Sequence, residues 1–203
     1  MPVLFICFIV FIFWFRVKSK QADNKTNNPK NEFIRREHEA NLTRKKDISG
    51  LNYLVVPETA LPFTETDNEE ETRLQNEIKD VLSRKILDLS GITNTELKLE
   101  YGAANLDILS EYDQNFSQLL RCLDKWGNFL YTQKHDLNCA KQVLEYSVSS
   151  GSDITGTYTT LARIYLEENE PGKVQSLIDK VENSNFFMKD SIVLKLKKLV
   201  QEY

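Results

Sequence analysis

Apolar residues return at every third or fourth position through most of this chain, the spacing of a helix with one buried stripe. The first stripe runs through Leu74, Ile78, Val81 and Leu82, and the next through Leu97, Leu99, Tyr101, Leu106 and Leu109. A longer one follows through Phe116, Leu119, Leu120, Leu123, Trp126, Leu130 and Tyr131, with a partner through Leu137, Ala140, Val143, Leu144 and Val148. Tyr158, Leu161, Ala162 and Tyr165 mark another helix, and Val174, Leu177, Ile178 and Val181 its partner. A last helix over 186–202 carries Ile192, Leu196, Leu199 and Val200, with Lys195, Lys197 and Lys198 on its polar side. Its polar back suits a cap that closes a stack.

The breaks between stripes carry stop and start signals. Ser90-Gly91 interrupts the pattern, and Thr93 with Glu96 forms a capping box. Asp113 and Asp136 are expected to begin helices, Gly151 to end one, and Pro171 to sit in a first turn. No β-hairpin signal competes, so residues 69–203 are expected to be all-α.

The N-terminus follows a different pattern. Residues 3–15, VLFICFIVFIFWF, hold no polar side chain, and with Met1, Pro2 and Val17 the apolar stretch reaches about 17 residues, broken by Arg16. As a helix this rises about 25 Å, against about 30 Å of hydrocarbon core. Arg16 and Lys18 can snorkel, and Trp14 falls where an aromatic belt sits. A signal peptide would need a positive start and a small-residue cleavage site, and neither occurs here. The expectation is a single transmembrane helix over 1–17 in a single-pass cell-membrane protein. The positive charge beyond the helix places its N-terminus outside and its C-terminal domain in the cytoplasm.

Charge is unevenly spread. Residues 16–46 hold ten Lys or Arg against four acids, a net of +6, while the remainder nets −10. Residues 18–50 therefore form a basic, flexible stalk, either a tether for anionic lipid or a solvated spacer. An acidic domain excludes nucleic acid as its ligand, since phosphate needs a basic face. Residues 51–68 form an extended connector, apolar through LNYLVVPETALPF and acidic after it. Pro57 and Pro62 bar a helix, and the segment is expected to lie in a groove of the helical domain.

The last two helix pairs echo each other at 34 residues: Tyr131 recurs as Tyr165, Ala140 as Val174 and Leu144 as Ile178. In this the chain resembles the tetratricopeptide repeat (TPR), with repeats over 121–154 and 155–188. Tyr158, Leu161, Ala162, Tyr165, Val174, Ile178 and Val181 carry the second. In the first, Tyr131, Ala140, Leu144 and Ser147 fall in register, while Gly127 and Asn128 occupy the Leu-Gly positions. The layout is also similar to small single-pass bacterial membrane proteins with a cytosolic TPR-like domain. The resemblance implies an antiparallel α-hairpin stack that binds another protein or peptide. It also places Lys125, Phe129, Thr159 and Arg163 on the concave face, where each cation either holds a partner's carboxylate or is simply solvated.

Chemistry is otherwise sparse. His38 and His135 lack metal-ligand spacing with one another or with Cys7, Cys122 and Cys139, and no phosphate-binding glycine loop occurs. Cys139 stands four residues after His135, but the intervening Asp136 suits a helix cap rather than a catalytic pair. No enzyme, cofactor or metal is expected. The sequence points to a membrane-tethered cytosolic adaptor for protein–protein contacts. The alternative is a structural subunit of a membrane complex, its span making the specific contacts.

Overall fold

The computed structural model describes residues 2–203, and for 2–7, 9, 19–28 and 58 the backbone alone. Its described residues form eight α-helices: α1 Pro2–Leu42, α2 Glu69–Leu82, α3 Asn94–Tyr101, α4 Leu106–Phe129, α5 Leu137–Ser149, α6 Thr155–Glu167, α7 Pro171–Glu182 and α8 Lys189–Glu202. They divide into two compact units, residues 1–50 with 90–109, and residues 51–89 with 110–203.

In the first unit, α1 packs on α3. Helix continues through Pro29 to Leu42, within the stretch that the sequence reads as a flexible stalk. Charge supports its end: Arg35 pairs with Glu32 and Glu39 one turn either side. Glu37 accepts from Lys98 of α3 at 2.9 Å and from the Thr95 hydroxyl. The Thr93–Glu96 capping box opens α3. Gly102 ends it at φ 91°, where an added Cβ would stand 2.4 Å from the Arg44 carbonyl oxygen.

The expected membrane span is overturned. Among the described residues no helix is long and apolar enough to cross a membrane. The apolar run supplies about 25 Å of helix, short of the core, and α1 then continues into sequence rich in Lys, Asn and Glu. Met1 lies outside the described residues. The single-pass localisation, with its N-terminus outside and C-terminal domain cytoplasmic, falls with the span.

In the second unit, α5 packs on α6, α6 on α7 and α8, and α7 on α8. Its core runs continuously from Leu74 and Ile78 of α2, through Leu119, Leu123 and Trp126 of α4 and Leu144 of α5, to Tyr158, Ile178 and Ile192. Asp136 caps α5 by accepting the Cys139 N–H at 3.0 Å. Gly151 follows α5 at φ 96°, and Pro171 opens α7. Asp113 is no cap. It lies inside α4, where its carboxylate accepts the Leu89 N–H at 3.0 Å.

Between α4 and α5 the chain makes one π turn, Leu130–Lys134, with the His135 N–H donating to the Leu130 carbonyl. A π turn holds one residue more than an α turn. That residue shifts the repeat. Trp126, Gly127 and Leu130 are buried as are Leu161, Ala162 and Tyr165, 35 positions on. Ala140 and Leu144 still match Val174 and Ile178 at 34. Leu130, rather than the half-buried Tyr131, therefore takes the place of Tyr165. Gly127 has a packing reason as well: an added Cβ would meet the Leu144 side chain at 2.5 Å.

Candidate functional site

Helix α6 buries Tyr158, Leu161, Ala162 and Tyr165 and turns Thr159 and Arg163 outward. Four residues apart, these two lie on one side, about 6 Å along the axis. Helix α8 buries Ile192 and Leu196 against α6 and α7. Its Lys195, Lys198 and Glu202 then form one stripe beside the half-buried Leu199. The two surfaces enclose a cleft of about 420 Å³, with Thr155 and Gly156 of α6 completing its wall.

Three cations and one anion line this cleft. Lys198 Nζ stands 3.5 Å from Glu202 Oε1, an exposed pair. Arg163 and Lys195 form no ion pair among the described residues. The Thr159 hydroxyl shares its proton between the carbonyls of Thr155 and Gly156, each at 3.1 Å. Leu199 adds an apolar patch. The arrangement can hold an anionic group by charge and an aliphatic one by burial. Among the described residues no group of three metal-ligating side chains forms.

Thr159 and Arg163 both line this cleft. Lys125 and Phe129 do not join them. Lys125 is exposed on α4, and Phe129 packs against the core. What α4 presents to α6 is one residue earlier in each case. Asp124 accepts from the Thr157 hydroxyl at 2.9 Å, and Asn128 bonds the Thr160 hydroxyl at 2.5 Å. Asn128 Nδ2 also donates to Asp124 at 3.1 Å. An added Cβ at Gly156 would approach the Asp124 carboxylate to 2.8 Å, so glycine permits this seam. Burial raises the Asp124 carboxyl above its ordinary value, and the bonds from Thr157 and Asn128 oppose it.

Cys139 lies half-buried in the first turn of α5. Burial, then Asp136, pushes its thiol up to about 11, which keeps it protonated at neutral pH. His135 is exposed and adopts the left-handed conformation that closes the π turn.

No family model, curated protein or solved structure matches the chain.

Proposed function

We propose that the chain is a protein-interaction adaptor whose α6–α8 cleft takes an acidic segment of a partner. The carrying observation is the cleft's charge. Arg163, Lys195 and Lys198 face a single carboxylate, in a chain whose residues outside 16–46 are net acidic. Such a local reversal of sign steers an acidic ligand toward the cleft and orients it. The resemblance of the hairpins to tetratricopeptide repeats supports the same reading, since stacked hairpins bind proteins along their exposed faces. Leu199 gives an apolar side chain beside the acids a place to rest.

The test is peptide binding by fluorescence anisotropy, with acidic peptides carrying a leucine and their amide counterparts. Wild type should bind the acidic set, more weakly as salt rises. The Arg163→Glu/Lys195→Glu variant should lose at least about tenfold in affinity, or 1.4 kcal/mol. Lys125→Glu should change little, because Lys125 lies off the cleft. Equal binding by wild type and the double variant would remove the cleft from the function.

A further inference from the structure

A different face of the same unit already holds a peptide, and that peptide is the chain's own. Residues 54–64 run as a strap across α2, α4 and α5. Leu61 is buried to 3% exposure among core residues. Phe63 stacks on Trp126 with centroids 5.3 Å apart and planes 16° apart, and Lys79 Nζ lies 5.2 Å from the Phe63 ring centre. Polar ties are few. The Leu54 N–H donates to Ile86 O at 2.9 Å, the Thr64 N–H to Gln75 Oε1 at 3.3 Å, and Gln142 Nε2 to Ala60 O at 3.2 Å.

The strap fits the groove incompletely. Gln75 is 3% exposed, and its Nε2 has no hydrogen-bond partner among the described residues. Trp126 Nε1, fully buried beneath Phe63, has none either. Buried donors are almost always paired, and an unpaired one disfavours the state that leaves it so. Beside Gln75 a cavity of about 340 Å³ opens between Phe63 and Thr64 of the strap, Thr66 beyond it, and Gln75 and Lys79 of α2. Leu61 and Phe63 thus supply the apolar anchors, and two buried N–H groups beneath the strap have no protein acceptor among the described residues.

We infer that the groove over α2 and α4 is a binding site for an extended peptide of a partner protein. That peptide carries an aliphatic and an aromatic residue two apart, and Leu61 and Phe63 occupy the site until it arrives. The Trp126 face and Lys79 select the aromatic ring by stacking and cation–π attraction. A backbone carbonyl of a longer ligand meets Gln75 in the adjoining cavity. This site is separate from the α6–α8 cleft and shares no residue with it.

The probe is a fluorescent peptide of residues 58–66, offered to the full chain. Leu61→Ser/Phe63→Ser empties the groove and should bind the probe saturably, at least tenfold tighter than wild type. Replacing the probe's phenylalanine with alanine should abolish binding, and Lys79→Glu in the emptied chain should weaken it. Equal binding by the emptied chain and wild type, or no dependence on the phenylalanine, overturns the site. Hydrogen exchange on unaltered wild type gives a second test that needs no variant. The Leu54 and Thr64 amides should exchange at least a hundredfold faster than those of Leu119 and Leu123 in α4. Exchange of all four at one common rate would mean that the strap leaves only on unfolding, and overturns the proposal.

Discussion

Two glycines show how differently one residue type can be required. Gly91 and Gly102 both have positive φ, 82° and 91°. Around Gly91 an added Cβ meets nothing within 4 Å, whereas at Gly102 it runs into the Arg44 backbone at 2.4 Å. Gly91→Ala therefore faces only the conformational cost, about 1 kcal/mol. Gly102→Ala adds a clash that no side-chain rotation relieves, and should cost about 3 kcal/mol or more. Urea unfolding followed by circular dichroism would separate them, and equal losses would mean that α3 and residue 44 do not meet as described. The sequence offers no sign of this difference, since both glycines simply follow polar or aromatic residues. At the same scale, Thr159 and Arg163 were legible because α6 is regular and its buried face fixes the opposite one. Lys195 and Lys198 read as a solvated back only because the cleft they line is made by a contact across helices.

At the scale of elements, the caps were the most legible feature. Thr93–Glu96, Asp136, Gly151 and Pro171 all sit at the helix ends their local chemistry suits. Asp113 misleads for a physical reason: its carboxylate accepts a backbone N–H as a cap does, but from Leu89, which is distant in sequence. The π turn misleads in another way. One added residue leaves the 34-residue echo intact in α5 and α7 but moves α4 by one position relative to α6, so that Asp124 and Asn128, rather than Lys125 and Phe129, bond to α6. The turn is pinned to α2 by Lys134, whose Nζ lies 2.7 Å from Glu71 Oε2. Glu71 is buried and Lys134 is part-exposed. Lys134→Met should leave that buried carboxylate unpaired and lower the urea midpoint. Adding Glu71→Gln should recover part of the loss. A single variant as stable as wild type in urea would show that the ion pair does not hold the turn.

Over the whole molecule, tyrosines set the alkaline limit. Burial, then the Glu167 bond, pushes Tyr131 up to about 12, and burial with Asp153 takes Tyr158 up to about 12. Tyr165 is raised too, by burial and then by Glu145. A phenol whose pKa is raised by folding stays protonated in the native state while it ionises in the unfolded one. Its stabilising effect is therefore complete below about pH 10 and fades as pH climbs toward 12. The urea midpoint should hold from pH 7 to 9 and fall steeply above 10, with phenolate absorbance growing together with loss of helix. Phenolate formation without unfolding would show these rings to be open to solvent. No inventory of residues reveals this, because tyrosine burial is a property of the assembled core.

The polar seam between α4 and α6 acts as a key in a lock. An apolar seam tolerates a helix that slides or rotates, because one methyl group serves as well as another. Asp124 with Thr157, and Asn128 with Thr160, do not tolerate it. A rotation of one residue, about 100°, would strand a half-buried carboxylate and an amide away from their hydroxyls. The two hairpins consequently have one permitted alignment, chosen by directional bonds rather than by grease. The position of Arg163 on α6 is set at that join.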